Sequence, residues 1–89
     1  MNTMKFPRDA PKPASAYVDI PDWLEAEITK LNADDTAHLI SDLGLALHYG
    51  EWDSRLESIG LSSNAYEWLD TQDRDVFKGL LQWVAMELI

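Results

Sequence analysis

Apolar residues along this chain recur at spacings of three and four rather than two. Ile20, Leu24, Ile28 and Leu31 form one such stripe, with Trp23 beside it and Glu25, Glu27 and Lys30 off it. That period predicts an amphipathic helix beginning near Pro21 or Asp22. Asp22 followed by Glu25 has capping-box form, and both acids lie where the helix dipole favours them. Asn32 and Ala33 make a break, after which Asp34 or Asp35 caps a second helix reaching about Tyr49. Ile40, Leu43 and Leu47, widened by Leu39 and Ala46, form its inward stripe. Gly44 inside this helix costs about 1 kcal/mol relative to Ala, which predicts a close neighbouring backbone there. Gly50 is placed as a left-handed stop.

A shorter third helix is expected over Glu51 to Ile59, with Trp52, Leu56 and Ile59 on one side and Gly60 as its stop. Ser62, Ser63 and Asn64 are all residues that cap helices. Asn64 with Glu67 again has capping-box form, so a brief helix carrying Tyr66, Trp68 and Leu69 should follow. Asp70 or Thr71 then caps the last helix. Phe77, Leu81, Val84 and Leu88 make its stripe, with Val76, Leu80 and Trp83 alongside. An apolar arc that wide predicts a central helix touched on more than one side. No segment alternates with a period of two or carries turn pairs such as Asn-Gly, so no strand is predicted.

Residues 1–17 differ from the rest. Pro7, Pro11 and Pro13 remove backbone donors and push their preceding residues toward extended conformations. Two arrangements fit: a loose tail, or an arm pinned over the body by Phe6 and Tyr17. The expected fold is therefore all-α, a compact bundle of four or five short helices over residues 18–89 with an extended N-terminal arm over 1–17. At 89 residues and 46% hydrophobic, the chain has the size and composition of one folded domain. Its four Trp each can bury on the order of 200 Å².

Charge separates the two parts further. Residues 1–18 hold Lys5, Arg8 and Lys12 against Asp9, whereas residues 19–89 hold fifteen acids against Lys30, Arg55, Arg74 and Lys78. The whole chain carries −9. Such a surface repels nucleic acid and anionic membrane and attracts basic surfaces. The absence of cysteine rules out disulfides, thiolate metal sites and a Cys nucleophile. No signal-peptide-like apolar run opens the chain, and none approaches the roughly 18 residues a membrane span needs. A soluble, cytoplasmic protein is expected.

Candidate chemistry is sparse. His38 has Asp34 four residues before it and Asp42 four after, one helix face on which a metal could be imagined. N-capping and surface electrostatics account for that spacing without one. His48, Glu51 and Asp53 gather at the end of the second helix, where the dipole favours a protonated imidazole. Asp70, Asp73 and Asp75 have partial calcium-loop spacing but lack its glycine and its terminal Glu. Ser62 and Ser63 have no neighbouring His or elbow glycines, and no Gly-rich phosphate loop is present. No enzyme activity, metal or cofactor is expected, and direct nucleic-acid binding is not either.

The acids remain. Asp34, Asp35, Asp42, Glu51, Asp53 and Glu57 lie on or around the second and third helices, and Glu67, Asp70, Asp73 and Asp75 lead into the last. They serve solubility, or they dock on a basic partner whose Lys and Arg otherwise hold phosphates. In size, charge and lack of catalytic residues the chain resembles the small acidic inhibitors of phages and mobile elements, such as anti-CRISPR proteins and other DNA mimics. That resemblance lies in the whole-chain profile. It implies a non-enzymatic inhibitor that blocks the DNA or RNA path of a basic nucleic-acid-handling protein, in phage anti-defence. Two other expectations share the profile: an immunity protein or antitoxin against a nuclease toxin, and an assembly subunit forming a homo-oligomer through its tryptophans.

Overall fold

The computed structural model describes residues 12–52 and 60–88. The expected third helix from Asp53 onward, with Leu56, Asp53 and Glu57, lies outside them, as do the first eleven residues with Phe6. Four α-helices are present among the described residues, and no strand. They are α1 (Asp22–Thr29), α2 (Ala33–Tyr49), α3 (Ser63–Asp70) and α4 (Arg74–Trp83). A 3-10 turn, Ala14–Ala16, precedes them, and a π-helical turn, Val84–Leu88, follows directly on α4. The all-α reading holds.

The helix starts differ from the expected ones, and capping geometry explains each shift. Asn32, not Asp34 or Asp35, caps α2: its backbone is extended, and its side-chain oxygen accepts the Asp35 amide at 2.7 Å. Asp34 and Asp35 then occupy the first turn, where negative charge meets the positive helix end. Ser62 rather than Asn64 caps α3, accepting the Ala65 amide at 3.3 Å. Asp73 rather than Asp70 or Thr71 caps α4, because α3 runs through Asp70 and Thr71 closes it. At α1 the cap position is Pro21, which makes no side-chain bond. Asp22 is already helical there, and Glu25 turns outward to accept the Ala14 amide at 3.3 Å.

The core is built around α4. Phe77, Leu80, Trp83 and Val84 are fully enclosed, together with Leu24 and Ile28 of α1, Leu39 and Leu43 of α2, and Leu69 of α3. Leu81 and Leu88, expected on the central stripe, are only half-buried. The inward side of α4 instead follows Phe77, Leu80 and Trp83, at steps of three, because a second layer of chain covers it. The inward side of α2 is likewise displaced. Thr36, Leu39, Leu43 and Ala46 are buried, while Ile40 and Leu47 lie at the margin. Trp52 joins the core with its ring tilted on Phe77 at 6.3 Å between centroids.

α2 packs along α4 and reaches the π turn beyond it. The start of α4 meets the end of α2, since a Cβ on Gly50 would lie 3.2 Å from the Arg74 guanidinium. The two helices therefore run antiparallel. Gly50 has φ 85°, a conformation only glycine adopts without strain, and its amide closes α2 on the Ala46 carbonyl. The helix that Gly60 was expected to stop lies outside the described residues.

The second layer over α4 is the segment from Lys12 to Val18. Ala14 is completely buried, and Tyr17 and Val18 cross Gly79. A Cβ at Gly79 would lie 2.7 Å from Val18 Cβ and 2.9 Å from the Tyr17 carbonyl oxygen. The close approach predicted for Gly44 thus occurs at Gly79. Around Gly44 no atom of the described residues outside its own helix lies within 4 Å of a Cβ.

Candidate functional site

Some described carboxylates hold the fold, others face solvent, and Asp42 does neither. Glu25, Glu27 and Glu87 belong to the first group. The Glu27 carboxylate accepts both the backbone amide and the hydroxyl of Ser62, at 3.0 and 2.7 Å, so α1 fixes the residue that caps α3. Glu87, in the π turn, accepts the Lys12 amide at 2.9 Å on one oxygen and the Tyr17 hydroxyl on the other. The Trp83 indole donates to the Lys12 carbonyl at 3.1 Å. Tyr17 is one of the two residues expected to pin the N-terminal segment. The partners of Glu25, Glu27, Glu87 and Trp83 were not legible, because each lies 11 or more residues away along the chain and no residue pattern links them.

Of the ten acids read as partner-binding, Asp53 and Glu57 lie outside the described residues. Asp34, Glu51, Glu67, Asp70, Asp73 and Asp75 are exposed, and Asp35 is half-buried beside Gly60. Asp42 is only 7% exposed. It follows Leu39 by three residues and precedes Ala46 by four, which places it on the inward side rather than among the solvated acids. Its Oδ2 has no hydrogen-bond partner among the described residues. Burial pushes its carboxyl above the ordinary value, and the charge of His38, one turn earlier, opposes that rise.

The Asp34, His38, Asp42 row is therefore broken: two members are exposed and the third is enclosed. Among the described residues no group of three or more His, Asp or Glu is arranged to hold a metal ion. His48 lies against the neighbouring Tyr49 ring, edge to face at 4.9 Å. No described helix is long and apolar enough to cross a membrane.

Five of the exposed acids fall at the two ends of α2. Asp34 lies at the start of α2. At its far end, some 25 Å along the helix axis, Arg74 bridges Gly50 to the start of α4. Glu51 follows Gly50, and Asp73 and Asp75 flank Arg74, so these three acids share one end of the molecule, with Asp70 just before them at the end of α3. The sequence showed each carboxylate. Only the antiparallel packing of α2 and α4 shows that Glu51 joins the Asp70–Asp75 set. No protein-family model matches the chain, and neither a curated protein nor a solved structure does.

Proposed function

We propose that this is a non-enzymatic, cytoplasmic interaction protein whose acidic end occupies the nucleic-acid path of a basic protein. The observation that carries the reading is the shared position of Glu51, Asp70, Asp73 and Asp75 on a chain of net charge −9. Arg74, between Asp73 and Asp75, is turned onto Gly50 at the carboxyl end of α2, where a positive charge complements the helix dipole. Fixed carboxylates there can pair with Lys and Arg that would otherwise contact phosphates, and long-range attraction accelerates the encounter. An inhibitor of a phage anti-defence type fits this arrangement. An immunity protein against a nuclease toxin would work by the same physics on a different partner.

The test is displacement. A labelled duplex is held by a partner captured from bacterial lysate, and this protein is titrated in at low and high salt. Displacement by the wild type, strongest at low salt and lost on changing Glu51, Asp70 and Asp75 together to Lys, supports the reading. Displacement unaffected by that triple change sinks it, as does binding that leaves the duplex in place.

A further inference from the structure

The outer face of α2 has an unusual composition for this chain. Between Thr36 and Gly50 the sequence holds no Lys, Arg or Glu, and its one Asp, Asp42, is buried. The exposed side chains there are Ala37, His38, Ser41, Leu45, His48 and Tyr49. Leu45 is 41% exposed and Tyr49 69%. A solvated helix face in a chain with 26% charged residues would be expected to carry Glu and Lys. Depletion of charge together with exposed Tyr and Leu is the composition of an interface centre. Gly44 adds a notch, since among the described residues no atom beyond its own helix lies within 4 Å of a Cβ there.

We infer that this face pairs with the same face of a second copy, the two α2 helices antiparallel about a two-fold axis at Ser41. An isologous contact requires the surface to be complementary to itself. In an antiparallel pair centred on Ser41, residues equally far on either side of it face each other. Asp34 then meets His48 of the second copy, whose imidazole N–H can donate to the carboxylate. Ala37 meets Leu45 of the second copy, and His38 meets its Gly44, so a small residue receives each large one. Ser41 meets its own counterpart on the axis. All pairs recur on the other side by symmetry.

The contact area of one helix face on another is at the low end of specific interfaces, below about 1,200 Å² in total, so the dimer is weak. Two chains of −9 repel each other at long range, and salt screens that repulsion. Self-association should therefore hold or tighten as salt rises. A complex of the acidic end with a basic partner loosens, so the two proposals fail separately.

Sedimentation velocity over a concentration series of the full chain reads the association directly. The wild type should show a reversible monomer–dimer equilibrium. Ser41→Lys, which brings two ammonium groups together on the axis, should weaken it about tenfold or more while circular dichroism stays unchanged. His48→Asp should do the same by facing Asp34 with a second carboxylate. An equimolar mixture of Asp34→Lys with His48→Asp should associate as well as the wild type, since one side then pairs Lys with Asp and the other keeps Asp34 with His48. A wild type that stays monomeric throughout overturns the inference. So does a mixture that fails to associate, or a Ser41→Lys dimer as tight as the wild type's.

Discussion

α2 and α4 each carry a glycine in mid-helix, and the two glycines have opposite surroundings. Gly79 is buried beneath Tyr17 and Val18, whereas a Cβ on the half-buried Gly44 would meet no described atom beyond its own helix within 4 Å. The helices differ in the same way. α4 is covered by α2 on one side and by the Lys12–Val18 segment on another, while α2 keeps one face uncovered. A glycine that weakens a helix has different surroundings in the two cases. At Gly79 the missing side chain admits a second stretch of backbone within the same molecule; at Gly44 no described segment of the molecule uses the space.

The largest expected effect tests where the inward side of α4 lies. Leu80 is completely enclosed and Leu81 is half-buried. Leu80→Ala should cost about 3–5 kcal/mol, enough to unfold much of a domain this small. Leu81→Ala should cost clearly less, because part of its surface is already in water. Urea denaturation of both variants decides it, and equal losses would mean that the inward side of α4 is misassigned.

Next comes the crossing itself. Gly79→Ala places a methyl group 2.7 Å from Val18 Cβ, so the Tyr17–Val18 backbone has to move away. The expected cost is about 1–3 kcal/mol, the usual range for overpacking. Faster hydrogen exchange at the amides of Lys12 and Ala14, which Glu87 and Glu25 accept, should accompany it. Protection unchanged at those amides would mean that the segment is held without the contact at Gly79.

The part of this that was legible beforehand follows from what periodicity can carry. Stripes such as Leu24–Ile28 and Leu39–Leu43 announced amphipathic helices, because a helix repeats every 3.6 residues whatever it packs against. Helix starts were less legible because candidates crowd together: Asn32, Asp34 and Asp35 are all good caps, and backbone conformation selects among them. Gly44 and Gly79 are indistinguishable as letters, since their neighbours come from distant parts of the chain. The acids could be counted, but the burial of Asp42 and the position of Glu51 beside Asp73 and Asp75 depend on how α2 packs. The run of α2 without Lys, Arg or Glu stands in the sequence itself. It acquires meaning once Ala37, Ser41 and Leu45 are seen on the exposed side.

A smaller effect distinguishes the inward and outward sides of α2. Burial makes the charged form of Asp42 more costly in the folded protein than in the unfolded chain. Below the ordinary value of 3.8 both states are protonated and no cost arises. Between 3.8 and the elevated folded value the unfolded chain holds fewer protons than the folded protein, so stability falls as pH rises through that interval. The whole cost is present above the folded value. Asp42→Asn should therefore be more stable than the wild type at pH 7, and the advantage should disappear on acidification below 3.8. A difference between the two that did not change with pH would show that the substitution acts through shape rather than charge.

The smallest effect is the most discriminating for the comparison. Gly44→Ala adds a methyl group where no atom of the described residues outside the helix lies within 4 Å, so no clash with them opposes the gain in helix propensity. Thermal unfolding of dilute, monomeric protein should show stabilisation of up to about 1 kcal/mol. If α2 pairs with itself about Ser41, the same methyl group fills the notch that receives His38 of the second copy. Self-association should then weaken in the variant while the monomer becomes more stable. Gains in both would mean that Gly44 is not at the contact; a loss of monomer stability would mean that the outer face of α2 is covered within the molecule itself.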